Sequence, residues 1–223
     1  MIDLEADCFI DETGIIYCWG YNEFGRIGDG TNENKSSPTK VNENSWEKVS
    51  SHLRHTCGIS ASDKKLYCWG RNEWGEIGNG SSGFECPYSN GYPGECNNIS
   101  SPIKISDDEW IEIEVGNNSS CGIKKSDNAL YCWGNNSFGQ LGNGFTTVKD
   151  IHGQITTSYH ESLPVKIGED SWIKIIDEYN WGGETKCAIN TQNNLFCWGN
   201  NREGLLGDGT AWQTVPTSVP LQE

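Results

Sequence analysis

The chain has 223 residues, a formal charge of −15 and 35% hydrophobic residues, enough for a sizeable buried core. No run of about 18 apolar residues occurs, so no helical membrane span or direct membrane insertion is expected. The acidity disfavours a phosphate backbone, which needs clustered Lys and Arg, so no nucleic acid partner is expected.

The N-terminal stretch Met1-Ile2-Asp3-Leu4-Glu5 is acidic and leads straight into a hairpin pattern. It reads as no signal peptide; for an exported protein the leader would lie outside this sequence. Cys8 and Cys18 follow, with Ile10 set to pair with Ile16 and Glu12-Thr13-Gly14 left as a three-residue loop. Next comes the phrase Cys18-Trp19-Gly20-Tyr21-Asn22-Glu23-Phe24-Gly25-Arg26-Ile27-Gly28-Asp29-Gly30. It recurs as CWGRNEWGEIGNG from Cys68, CWGNNSFGQLGNG from Cys132 and CWGNNREGLLGDG from Cys197. A period of this size marks one supersecondary unit copied in tandem.

The second unit shows the plan most fully. Trp46-Glu47-Lys48-Val49-Ser50 reads as a strand, as do Thr56-Cys57-Gly58-Ile59-Ser60 and Leu66-Tyr67-Cys68-Trp69. Placing Cys57 opposite Cys68 sets Ile59 opposite Leu66 and leaves Ser62-Asp63 as a two-residue loop. The fourth unit, paired in the same way, leaves Thr191-Gln192-Asn193.

Eight of the ten cysteines fall as one pair per unit: Cys8 with Cys18, Cys57 with Cys68, Cys121 with Cys132, and Cys187 with Cys197. Cys86 and Cys96 bracket an insertion. Directly opposed strand residues have Cα atoms about 4.5–5.5 Å apart, and a disulfide spans about 4.4–6.8 Å, so the pair in each hairpin suits a bridge in an oxidising compartment, and Cys86 with Cys96 is expected to make a fifth. Free buried thiols are the alternative. Zinc fits poorly because no C-x-x-C occurs, and no metal or cofactor is expected.

These residues resemble the regulator of chromosome condensation repeat, carried in the second unit by Trp46, His55, Thr56, Cys57, Leu66, Trp69, Gly70, Asn72, Gly75, Ile77, Gly78 and Gly80. The resemblance implies an all-β fold, a β-propeller of four-stranded blades, in a family whose members typically close with seven. The chain would be a single repeat-built domain, residues 1–223, with repeats at about 1–45, 46–109, 110–171 and 172–223. Four repeats imply a partial or partner-completed propeller; a closed four-bladed ring is the alternative. The first repeat lacks the leading Trp. The cysteine pairs resemble those of exported members of the family.

The function expected is an extracellular, secreted or cell-surface scaffold, non-catalytic, for protein or glycan recognition and adhesion. Guanine nucleotide exchange on a small GTPase, as in the founding member, is the alternative. Two insertions, Ser81 to Ser100 and Phe145 to Leu163, follow the glycine phrase of adjacent repeats. They should rise on one rim, with Tyr88, Tyr92 and Tyr159 as candidate binding residues. Self-association or additional repeats would complete the ring. Asn34 and Asn98 are the preferred glycosylation sites among six sequons. Weaker readings are an acid–base pair at Asp107-Asp108 or at Glu33 with Glu43, calcium at Asp29 or Asp208, and sugar stacking on Trp74, Trp181 or Trp212.

Overall fold

The structure, a computed structural model, describes residues 7–83, 97–146, 148–149, 155–157, 159–177, 184–201, 204, 206 and 212–219. Among them every regular element is a strand and none is an α-helix. The first blade holds β1 (Asp7–Ile10), β2 (Ile16–Gly20) and β3 (Lys35–Lys40). The second runs β4 (Trp46–Ser51), β5 (His55–Ser60), β6 (Lys65–Gly70) and the start of β7 (Ile99–Val115). The rest of β7 opens the third blade, which continues through β8 (Ser119–Lys124) and β9 (Leu130–Asn135). After a small ribbon of β10 (Val148–Lys149) and β11 (Ile155–Thr157), that blade ends on β12 (His160–Ile167). The fourth is β13 (Trp172–Asp177), β14 (Thr185–Asn190), β15 (Leu195–Asn200) and β16 (Trp212–Ser218). Each blade is an antiparallel meander, and among the described residues no strand of the fourth pairs with the first.

The hairpins take the register that the cysteines suggest. Cys8 faces Cys18, Cys57 faces Cys68, Cys121 faces Cys132 and Cys187 faces Cys197. All four pairs are bonded, with Cα atoms 4.1–4.2 Å apart. The loops depart from expectation in one case. Ile59 does face Leu66, but the ladder stops there, and Lys64 turns into the left-handed region at φ 58° while its amide donates to the Ser60 carbonyl. The loop is therefore Ala61–Lys64, because one left-handed residue closes it more easily than a tight two-residue turn of Ser and Asp. Gly14 and Asn193 take the same conformation in the three-residue loops of the first and fourth repeats.

The core lies between blades. Each junction packs the disulfide and aliphatic face of one blade, with the Ile or Leu of its glycine phrase, against two tryptophans of the next. Ile27 meets Trp46 and Trp69; Ile77 meets Trp110 and Trp133; Leu141 meets Trp172 and Trp198. Those six rings are at most 2% exposed. Each fully buried large apolar side chain contributes about 1.5–3 kcal/mol, so these junctions hold the blades together.

Phe9 explains how the first blade manages without a leading Trp. In the second and third blades the position after the first cysteine is glycine, because a Cβ there would lie 2.9 Å from the Trp46 ring or 2.8 Å from the Trp110 ring. In the first blade that position is Phe9. Its ring stacks on Tyr17 at 5.6 Å and meets Trp19 edge-on at 5.9 Å, much as Trp46 meets Tyr67 at 5.5 Å and Trp69 at 5.8 Å.

Candidate functional site

The described ends of the two insertions meet on one rim. The Gly80 amide, where the first begins, donates to the Ser162 carbonyl, near the end of the second, at 2.8 Å. Asn97 Nδ2 donates to the Ser82 carbonyl at 2.7 Å, so the two ends of the first insertion are tied at their base. Beside this rim Phe145 and Tyr159 stack at 5.3 Å. Phe145 is 54% exposed, Leu163 55% and Val215 47%, an apolar surface that needs no burial for the fold itself. A cleft of about 380 Å³ opens next to it, with Phe145, Val165, Trp172, Val215 and Pro216 among its walls.

Of the three tyrosines expected to bind, Tyr159 is the one among the described residues; Tyr88 and Tyr92 lie outside them, with Cys86 and Cys96. Phe145 is the aromatic that the sequence reading did not pick out. Its position directly after a glycine phrase was the available signal.

Asn34 and Asn98 occupy equivalent places. Asn34 Oδ1 accepts the Asn22 amide at 2.7 Å and Asn98 Oδ1 accepts the Asn72 amide at 3.2 Å. Only the carbonyl oxygens are used in these bonds. Asn34 is exposed and Asn98 partly so.

A second polar feature is buried. His55 is fully buried, and its Nε2 sits 2.7 Å from Ser120 Oγ, which donates to the Glu76 carbonyl at 2.9 Å. Glu76 is also fully buried; its Oε2 accepts the Trp74 amide at 2.6 Å. Burial pushes the Glu76 carboxyl up to about 8, against a smaller opposing pull from Arg54. Burial, reinforced by Lys186, Arg26 and Arg54, pushes His52 down to about 4. Burial, with His52, Lys186 and Arg54, pushes His55 down to about 3. These groups come from all four repeats, and only aligning the repeats would have exposed polar residues at 26, 76 and 140 beside the phrase aliphatics.

The weaker sequence readings meet ordinary structural roles. Asp107 pairs with Lys104 at 2.5 Å and Asp108 with Lys124 at 2.7 Å; each lysine holds its carboxylate below the usual range. Glu43 pairs with Lys40. Asp29 caps a turn, accepting the Thr31 amide at 3.0 Å and the Thr31 hydroxyl at 2.7 Å, and pairs with Lys35 at 3.0 Å. Asn79 and Asn143 cap the same turn in the next two repeats, which needs an acceptor rather than a cation ligand. Trp74 is only partly exposed, and the rings of Trp181 and Trp212 lie outside the described side chains.

A tandem array of disulfide-stapled antiparallel blades, three of four strands and the first of three described strands, locked by glycine phrases, defines the chain as a β-propeller protein whose ring is not closed among the described residues. Family models described as "Regulator of chromosome condensation (RCC1) repeat" match residues 13–59, 127–177 and 110–140, together about half of the chain, and the chain belongs to that family. It is 27% identical over 210 residues to the ultraviolet-B receptor UVR8 of Arabidopsis thaliana, covering 92% of this chain and 41% of the receptor. Yeast RCC1 (Prp20), solved bound to Kap60, superposes with a TM-score of 0.74 at 20% identity, covering 97% of this chain and 47% of that one. The ectodomain of the Physcomitrella patens receptor kinase CR4 superposes at 0.50 and 15% identity, covering 92% of this chain and 41% of that one. The chain thus spans less than half the length of each of these three proteins.

Proposed function

We propose that this chain is a non-catalytic propeller scaffold that recognises a protein partner in an oxidising compartment, secreted or at a cell surface. The observation that carries this reading is the solvent-facing Phe145–Tyr159 stack beside the meeting insertions. Stacked aromatics on a rigid frame give contact area at low entropy cost, and such residues anchor interfaces. Tyr88 and Tyr92 on the first insertion would extend the same surface, and Asn34 and Asn98 would carry glycans at its margin. The four disulfides support the compartment, as does likeness to a receptor ectodomain. A protein partner is supported by the yeast propeller, solved with Kap60. Glycan recognition is the finer alternative.

The test is to immobilise the oxidised chain and identify proteins captured from the extracellular fluid and cell surface of its source. Phe145→Ala with Tyr159→Ala should abolish specific capture while the fold and disulfides are unchanged. Equal capture by the folded double variant would remove this rim as the site. Guanine nucleotide exchange is the second reading, because a related propeller is described with binding properties to Gsp1p. It requires the chain to function with reduced cysteines, so acceleration of nucleotide release by reduced, folded protein would favour it.

A further inference from the structure

The leading tryptophans of the last three blades sit in equivalent places, and two of the three have their indole N–H capped by a side chain four residues earlier. Trp46 Nε1 donates to Asn42 Oδ1 at 3.1 Å and Trp110 Nε1 to Ser106 Oγ at 3.2 Å. The same oxygens each accept a backbone amide two residues on, from Asn44 at 3.0 Å and from Asp108 at 3.3 Å. The third tryptophan is Trp172, and the residue four before it is Gly168. Strand register makes these positions equivalent. Thr39, Ile103 and Val165, each three residues before the capping position, all face the second cysteine of their hairpin.

Gly168 has no side-chain oxygen to offer. The Trp172 ring is fully buried, and its Nε1 has no hydrogen-bond partner. A buried donor without an acceptor is costly, and native structures rarely keep one. The space of the missing side chain is also open. Gly168 takes φ +62°, and nothing lies within 4 Å of where its Cβ would be. Gly168, Asp170 and Trp172 all line the cleft of about 380 Å³ beside the rim. One water needs only about 10–15 Å³, so the cleft has room for a larger occupant.

The walls narrow the chemistry of that occupant. Phe145, Val165, Val215 and Pro216 are apolar, Glu161 and Asp170 bring negative charge, and Lys166 is tied to Glu169 at 2.7 Å. In a chain of charge −15 these carboxylates repel an anion, so the acceptor is neutral. In the first junction the group that fills this place is a carboxamide oxygen, that of Asn42. We propose that the cleft between the third and fourth blades takes a peptide segment of a protein partner. Its amide carbonyl accepts the Trp172 indole N–H in the place that Asn42 Oδ1 holds for Trp46, and its neighbouring aliphatic side chain packs on Val165, Val215 and Pro216. That the peptide belongs to a partner protein rests on the rim reading above; the orphaned donor and the cleft do not.

The experiment is a titration of the oxidised, ¹⁵N-labelled chain with N-acetyl-leucine N-methylamide, followed at the ten tryptophan indole resonances. The Trp172 signal is the one missing from Trp172→Phe. It should move and saturate at about 1–10 mM, the range for a ligand of this size. Acetate and N-acetylglucosamine should leave it in place. Gly168→Asn supplies the acceptor from within, and Asn tolerates positive φ better than most side chains. It should shift the Trp172 signal without probe and abolish the response. Gly168→Ala adds a carbon but no acceptor and should still respond. The inference is overturned if no probe moves the Trp172 signal, if acetate or the sugar moves it as well as the peptide does, if the Asn variant still responds, or if the Ala variant loses the response equally. Partner capture separates this inference from the rim reading. Gly168→Asn should lower capture at least about tenfold. Capture abolished by Tyr159→Ala but untouched by Gly168→Asn would keep the rim and overturn the cleft. The reverse pattern would support the cleft and remove the aromatic stack.

Discussion

The backbone carbonyl of Arg26 accepts the indole N–H of Trp69 at 2.9 Å across the junction between the first and second blades. Thr56 Oγ1 donates to the same carbonyl at 2.9 Å. A buried carbonyl is costly to leave unpaired, so this one fixes the phrase of one repeat against two side chains of the next. The contact recurs with Glu76, which accepts from Trp133 and Ser120. The repeated phrase is therefore an inter-blade lock, which is why its glycines lie beside tryptophans belonging to another repeat.

The lock predicts a graded response to added methyl groups. Gly28 has φ +85°, and a Cβ there would sit 2.5 Å from Trp69 Nε1. Gly28→Ala combines backbone strain with overpacking and should cost about 2–4 kcal/mol. Gly30 has φ +83°, but its nearest neighbour would be Ser101 Oγ at 3.5 Å. Gly30→Ala should cost only the strain, about 1–2 kcal/mol. Thermal unfolding of both variants checks the order; equal losses would mean that the Trp69 contact is not the constraint.

How much of this was legible follows from which interactions are local. The hairpins were readable because cysteine spacing fixes their register, and Ile10 facing Ile16 came with it. The Ala61–Lys64 loop was not, because the choice between two turn closures rests on one residue's backbone state. The Phe9 substitution was legible only as an absence, the missing leading Trp; what fills the gap comes from the neighbouring strand. Least readable was the buried charge. Glu76 and Arg26 follow phrase glycines and look like surface residues, and only the stacking of blades removes them from water. On the rim, Tyr159 was named from its insertion, while Phe145 became visible through the stack that joins them.

The bridges make a second prediction. Cys57 and Cys68 close a hairpin with a sequence separation of 11. The chain-entropy account assigns about 3 kcal/mol to a loop of that size. Replacing both with Ala should lower the unfolding temperature by roughly 6–12 °C, at about 2–4 °C per kcal/mol for a chain of this length. The blade should persist, since Leu66 and Ile59 remain buried in the same junction. Differential scanning of the oxidised variant decides it. An unchanged temperature would show that the hairpin is ordered without the bridge even in the unfolded chain.

The buried cluster predicts a stability maximum near pH 6.5. His52 and His55 ordinarily titrate at 6.5 but are held down to about 4 and about 3 in the folded chain. Below pH 6.5 the unfolded chain binds protons that the folded chain refuses. Their contribution is therefore complete above 6.5 and is lost as pH falls toward 4 and then 3. Glu76 behaves in the opposite sense. Its ordinary value of 4.5 is raised to about 8, so between those values the folded chain keeps a proton that the unfolded chain releases. Its contribution is complete below 4.5 and is lost as pH rises through 8. From 4.5 to 6.5 two histidines outweigh one carboxyl and stability rises with pH. From 6.5 to 8, of these three groups only Glu76 acts, and stability falls by about 1 kcal/mol per pH unit. Glu76→Gln keeps an oxygen for the Trp74 amide and cannot ionise. It should flatten the decline between pH 6.5 and 8 while leaving the acid limb in place. Denaturant unfolding of both proteins across pH 4 to 8 is the measurement. A decline of the same slope in the Gln variant would assign the alkaline loss to another group and leave Glu76 ionised in the folded chain.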